Sequence, residues 1–181
     1  MNGEKTEPIV TIGIPAYNGE KTITRTIDSI LSQTILNFKL VISDDGSTDS
    51  TPKICCEYEQ RDSRIKYIQQ NKNKGWIKNW TFLAENSDTK YFVWISDDDY
   101  WEPQFLEKNI EVLETNPKIV GSISNVQLVG PNIKNYYPNQ KEINSMIALV
   151  ENEALRIDSR FLEPACGEGV FLISILEKKI S

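Results

Sequence analysis

The 181-residue sequence predicts an α/β fold in which a mostly parallel sheet carries helices on both faces. Three observations predict it. Segments of strand character alternate with segments whose apolar residues repeat at helical spacing. The strand segments are short, β-branched and apolar throughout, as strands buried on both faces are. The polar and acidic residues gather directly after the strands, at positions that share the carboxyl edge of a parallel sheet.

Each element has its own justification. Residues 9–14, Ile-Val-Thr-Ile-Gly-Ile, form a first buried strand that stops at Pro15. Ile23, Ile27, Ile30 and Leu31 follow at i, i+4, i+7 and i+8, the stripe of a helix packed on one side. Residues 38–43 are a second strand, and Thr51-Pro52 opens a second helix with proline at its first position. Residues 65–69 are a third strand. Trp76, Trp80, Leu83 and Ala84 repeat the helical stripe and are read as core. Residues 91–96 are a strongly apolar fourth strand. Pro103 starts a helix with Leu106, Ile110 and Leu113 on one face, and residues 119–129 read as a fifth strand. After Gly130-Pro131 the pattern weakens: 132–139 is loop-like, 151–156 has helical character, and 161–180 is apolar at both ends. A subdomain boundary is expected near residue 131.

Composition excludes several classes. The chain has 20 Lys+Arg against 26 Asp+Glu, a net charge of −6, and no basic patch, so no nucleic-acid partner is expected. Histidine is absent, which removes histidine bases, histidine metal ligands and Ser-His-Asp or Cys-His arrangements. Acid–base and metal chemistry falls to Asp and Glu. Cys55, Cys56 and Cys166 are too few and badly spaced for zinc, and read as small buried hydrophobes in a reduced, intracellular setting. No apolar run approaches the ~20 residues of a bilayer span, and the first eight residues lack the apolar stretch of a signal peptide.

Four polar loops are expected to converge on one edge. Pro15-Ala-Tyr-Asn18 follows the first strand, Asp44-Asp-Gly-Ser-Thr-Asp49 the second, 71–75 the third, and Asp97-Asp98-Asp99 the fourth. Three consecutive carboxylates resist full ionisation together, and a hard divalent cation would relieve that cost. Mg²⁺ takes one or two protein carboxylates and leaves positions for substrate phosphates, so an acidic rim is compatible with an anionic diphosphate. The competing reading is an acidic turn capping the next helix. Asp44-Asp45-Gly46 is ordinary turn chemistry as well as a candidate acceptor for a base N–H or ribose hydroxyl. Tyr17 offers either a flat face for a base or plain packing. Lys78, at the start of the third helix, is either a phosphate or base contact or a solvated lysine. No Gly-x-x-x-x-Gly-Lys-Ser/Thr and no Gly-x-Gly-x-x-Gly occurs, which disfavours P-loop ATPases and dinucleotide oxidoreductases.

Taken together, Ile12-Gly-Ile-Pro-Ala-Tyr-Asn18, Ser29-Ile-Leu-Ser-Gln-Thr34, Val41-Ile-Ser-Asp-Asp-Gly-Ser-Thr-Asp49, Asn73-Lys-Gly75 and Trp94-Ile-Ser-Asp-Asp-Asp-Tyr-Trp101 with Pro103 resemble the family 2 glycosyltransferases of the GT-A, Rossmann-like fold. Order and spacing agree from about residue 8 to 129. The resemblance implies a nucleotide-sugar donor, most often a UDP-sugar, a divalent Mn²⁺ or Mg²⁺, and inverting transfer to a saccharide or lipid-linked acceptor. Carried over by position, Pro15, Ala16, Tyr17 and Asn18 line the nucleoside pocket and Asp45 meets the base. Lys78 stands where the family often has a basic residue. Asp97 lies beside the ribose or metal, and Asp98 holds the metal with Asp99. The implied location is cytoplasmic, with membrane association left open at the inner face.

Two departures qualify this. The family's acidic motif is often Asp-x-Asp, and its first position here is Ser96. The family's catalytic carboxylate is expected well beyond the metal motif, past a segment that resembles 169–180, and so beyond Ser181; Glu163 and Glu168 carry no mark as substitutes. The expected organisation is a donor-binding domain over 1–130 and the beginning of an acceptor-side region over 131–181. The alternatives are a nucleotide-sugar-binding module without catalysis, a metal-dependent nucleotidyltransferase, and, more remotely, an S-adenosylmethionine-dependent methyltransferase fragment suggested by 161–172.

Overall fold

The structure is a computed structural model that describes residues 7–115 together with residues 121, 122 and 124. Strands and helices alternate as β1 (Val10–Ala16), α1 (Ile23–Leu31), β2 (Phe38–Asp44), α2 (Thr51–Arg61), β3 (Ile65–Gln69), α3 (Trp76–Glu85), β4 (Tyr91–Trp94) and α4 (Phe105–Thr115). The strands form one parallel sheet in the order β3-β2-β1-β4. All strand-to-helix loops therefore leave the same edge. The chain works outward from β1 to β3 and then crosses back to β4, so the order reverses between β1 and β4, the point at which open α/β sheets form a crevice.

Side-chain alternation along the strands builds two cores. On one face Val10, Ile12, Ile14, Leu40 and Ile42 meet Ile23, Ile27 and Ile30 of α1, Cys55 of α2, and Leu106, Ile110 and Leu113 of α4. Seven of these, from Ile12 to Ile42, are fully enclosed at 0% exposure, and each such side chain contributes roughly 1.5–3 kcal/mol by leaving water. On the other face Val41 and Trp94 pack with Leu83, and Trp80 and Phe92 flank them. Gly13 lets α3 approach there: a Cβ at that position would lie 3.1 Å from Phe92 and 3.2 Å from Leu83.

The sequence reading differs from the structure at a few ends. β1 runs on through Pro15 to Ala16. Pro15 is tolerated because Gly13 accepts the Ile95 N–H at 3.0 Å, so Pro15, two residues on, turns its peptide nitrogen to the same side, where β4 pairing has ended at Trp94. β4 stops at Trp94, earlier than 96, and α4 begins at Phe105, two residues after Pro103. Trp76 is a correction: it is 42% exposed at the first position of α3, not core, while Trp80 packs as expected. Cys55 is buried, and burial pushes its thiol up to about 12. The fifth strand expected over 119–129 falls largely outside the described residues, and Gly121, Ser122 and Ser124 are not in strand. The 151–156 and 161–180 readings and Cys166 also lie outside them. No described helix is long and apolar enough to cross a membrane.

Candidate functional site

Four loops meet at the carboxyl edge, and hydrogen bonds join them. After β1, the Tyr17 N–H reaches Asp97 Oδ2 at 3.2 Å, across the point where the strand order reverses. Asn18 takes a left-handed conformation, φ 54°, which asparagine tolerates better than most residues. Its N–H donates to Ser47 Oγ at 2.9 Å and its Oδ1 accepts the Thr48 N–H at 2.9 Å, so the first loop is laced to the second. Gly19 makes room for Asp97: a Cβ at position 19 would lie 2.6 Å from Asp97 Oδ2.

The paired aspartates after β2 divide their work. Asp44 does the turn chemistry, accepting the Ser47 N–H at 2.8 Å and the Tyr67 hydroxyl at 2.7 Å, with no exposed surface. Burial and the Asp44 hydrogen bond together raise the Tyr67 phenol well above its ordinary value. Asp45 organises the third loop. One oxygen accepts the Lys74 N–H at 2.8 Å and the other the Gly75 N–H at 2.9 Å, while its own N–H donates to the Ala16 carbonyl at 2.9 Å. Asp45 is only 2% exposed. Gly46, at φ 80°, lies against the backbone of 72–73, where a Cβ would meet Asn73 N at 3.1 Å.

The acidic loop forms a turn from Ser96 to Asp99, closed by the Asp99 N–H on Ser96 O at 3.3 Å. Asp98 is exposed; Asp97 and Asp99 are half-buried. Burial, reinforced by the neighbouring Asp98 charge, pushes the carboxyls of Asp97 and Asp99 up to about 6. The Tyr17 N–H opposes this at Asp97, and the Arg25 guanidinium opposes it at Asp99.

The elevated carboxyls and the oxygen-only donor set suit a hard divalent cation. Among the described residues no three acidic or thiol groups converge as a closed metal cage. The residues present fit an open site to which they would supply one or two carboxylates.

Sequence reasoning placed most of these residues at the rim, with two adjustments. The Ala16 side chain is 1% exposed and belongs to the core, because β1 continues through it; only its backbone reaches the rim. Asp45 presents its oxygens to the 74–75 backbone rather than to open solvent. Tyr17, 50% exposed, and Asp97 are brought together directly. Lys78 is exposed in the first turn of α3. Residues that the reading did not assign to the site hold the acidic loop from α1 and the turn after it: Arg25, Thr26 and Ser29 on the helix and Gln33 and Thr34 just beyond it all bond to residues between 97 and 107. Their polar types on the flank of an apolar helical stripe were the available signal.

The reversed parallel sheet with an Asx-rich, acidic carboxyl edge defines the GT-A class of fold. The chain belongs to glycosyl transferase family 2, whose description it matches over residues 11–164. An Escherichia coli relative, UDP-Glc:alpha-D-GlcNAc-diphosphoundecaprenol beta-1,3-glucosyltransferase WfaP, is 37% identical over 117 residues, covering 65% of this chain and 45% of that protein. Staphylococcus aureus TarS 1–349 in complex with UDP-GlcNAc superposes with a TM-score of 0.60 at 24% identity, over 72% of this chain and 37% of that one. The mannosyltransferase PcManGT from Pyrobaculum calidifontis, in complex with GDP-Man and Mn²⁺, gives 0.57 at 21% identity, over 64% and 34%. The chain spans less than half the length of the curated relatives it matches.

Proposed function

We propose that this chain binds a nucleoside diphosphate sugar, with UDP as the nucleotide, at the carboxyl edge of its sheet, and that the whole protein transfers the sugar with inversion to a saccharide or lipid-linked acceptor at the cytoplasmic face of a membrane. The observation that carries the reading is the Tyr17–Asp97 bond at 3.2 Å, which joins the candidate nucleoside loop to the acidic turn across the reversal of the sheet. Family membership supports the transferase class, and the UDP-sugars named for two of the similar proteins support the donor. Residues 1–130 are the donor-binding unit in this reading and 131–181 lead into the acceptor side.

The roles follow from the chemistry of each group. Tyr17 offers its exposed ring to the base. Asn18 fixes the loop that carries that ring. Asp45 sets the 74–75 backbone beside the base and keeps further lone pairs for a base N–H. Asp97 accepts a ribose hydroxyl. Lys78 brings positive charge toward the diphosphate. Asp98, with Asp99 beside it, holds Mn²⁺ or Mg²⁺, which when bound stabilises charge gathering on the leaving diphosphate. Transfer also requires a carboxylate base to take the proton of the acceptor hydroxyl.

Calorimetry with UDP, with and without Mn²⁺, tests the site. Binding is expected to need the cation, and Asp98→Asn is expected to remove the metal-dependent part of the affinity. Equal UDP affinity without metal, or unchanged binding in Asp98→Asn, refutes the assignment.

A further inference from the structure

We propose that Arg25 and Thr26, consecutive residues of α1, are positioning residues that aim the Asp98 carboxylate at its cation. This rests on the reading of Asp98 as a metal ligand. The Thr26 side chain is 0% exposed, and its hydroxyl lies 3.0 Å from the Asp97 carbonyl and 2.6 Å from the Asp99 carbonyl. The Arg25 guanidinium donates to the Asp98 carbonyl at 2.6 Å and sits 4.8 Å from the centre of the Tyr100 ring. Two adjacent side chains on one helix thus reach the carbonyls of the acidic triplet: Arg25 donates to that of Asp98, and the single Thr26 hydroxyl proton is shared between those of Asp97 and Asp99, the nearer being Asp99. The turn's own backbone bond, at 3.3 Å, is long for the task.

The consequence is geometric. The direction in which Asp98 leaves the chain is set by the peptide planes on either side of it, and those planes are fixed by their carbonyls. Arg25 holds the Asp98 carbonyl, in the plane that follows Asp98, and the Thr26 hydroxyl sits between the Asp97 carbonyl, in the plane that precedes it, and the Asp99 carbonyl one peptide further on. Ile23, Ile27 and Ile30 anchor α1 in the core at 0% exposure, so the donors stand on a rigid element. Neither side chain needs to touch the metal. Their role is that of the outer groups that orient metal ligands, whose loss typically weakens metal affinity ~10–100-fold.

The test uses the full chain with saturating UDP and a Mn²⁺ titration read by the electron paramagnetic resonance of free Mn²⁺, with the melting temperature of each variant recorded. Thr26→Val keeps the shape and removes the hydroxyl; Mn²⁺ binding is expected to weaken ~10-fold, and Thr26→Ser to restore it. Arg25→Met, at an exposed position, is expected to weaken Mn²⁺ binding severalfold with little change in melting temperature. Parent-like Mn²⁺ affinity in Thr26→Val, or failure of Thr26→Ser to restore it, overturns the inference while Asp98→Asn still abolishes binding. If Thr26→Val does not fold, Arg25→Met decides: parent-like affinity overturns, and weakened affinity at an unchanged melting temperature supports. Parent-like binding in Asp98→Asn instead overturns the metal site itself.

Discussion

Replacing Asp97 with asparagine is expected to make the ligand-free protein more stable at neutral pH and less able to hold its donor. Burial lifts the Asp97 carboxyl from 3.8 to about 6. The folded state therefore holds the proton more tightly than the unfolded chain. The associated stability is fully present below pH 3.8 and is lost as the pH rises through about 6. A displacement of about two pH units at ~1.4 kcal/mol each gives ~3 kcal/mol, reduced to ~1–3 kcal/mol because Asp97 is half-buried and partly screened by water. Asp97→Asn keeps the acceptor for the Tyr17 N–H and cannot ionise. Its stability relative to the parent is expected to improve by ~1–3 kcal/mol between pH 4 and pH 7.5. Urea melts of both proteins at pH 4, 5.5 and 7.5 measure this, provided the slopes agree. A constant offset would report only the amide's own burial. A difference that does not change with pH, or that moves the other way, refutes the argument.

Three further outcomes are expected. Gly46→Ala combines left-handed backbone strain, φ 80°, with a Cβ 3.1 Å from Asn73 N; it is expected to cost ~1–3 kcal/mol in denaturant melts. Asp45→Ala strands the Lys74 N–H and leaves the Gly75 N–H only Asn73 Oδ1; Lys74 amide exchange is expected to accelerate at least tenfold, with ~1–3 kcal/mol of stability lost. The Cys55 thiol, raised to about 12 by burial, is expected to resist alkylation at pH 8 in the native protein and to react once urea exposes it, as mass spectrometry would record.

The elements were legible because their causes are local. The Ile23, Ile27, Ile30 spacing reports α1 directly, and the Thr51-Pro52 start of α2 is a backbone rule. The loops were legible as a group, since a parallel sheet sends every post-strand loop to one edge. What stayed hidden depends on register and packing. Whether Ala16 faces the core or the rim is decided by how far β1 continues past Pro15, which depends on its pairing with β2 out to Asp44. Trp76 reads as core from spacing alone, yet it sits at the first position of α3, beyond the sheet that Trp80 and Leu83 cover. The split between Asp44 and Asp45 is likewise invisible in an Asp-Asp pair: successive residues at a strand end point to opposite sides. Asp44 thereby meets Tyr67, and Asp45 meets the 74–75 backbone.

The Ser29 to Thr34 stretch, one of the motifs that marked the family, has a physical reason in this fold. Gln33 is 2% exposed. Its Nε2 donates to the Ser29 carbonyl at 3.1 Å and the Glu102 carbonyl at 2.9 Å, and its Oε1 accepts the Leu106 N–H at 3.0 Å. Leu106 lies in the first turn of α4, where backbone N–H groups have no partner within the helix. A side chain just past the end of α1 therefore caps α4 and fixes its start at Phe105, while Ser29 Oγ accepts the Trp101 N–H and the Thr34 N–H donates to the Pro103 carbonyl. The segment from the acidic turn to α4 is thus measured at both ends against α1 and the turn that follows it, by Arg25 and Thr26 at its start and by Gln33 and Thr34 at its end. The same helix buries Ile23, Ile27 and Ile30 under the sheet. The acidic turn cannot drift relative to β1 without dragging a core helix along, and Tyr17 leaves the end of that same strand. The distance between the candidate nucleoside loop and the candidate metal carboxylates is set by the packing of α1 rather than by the flexible reach of the loops themselves.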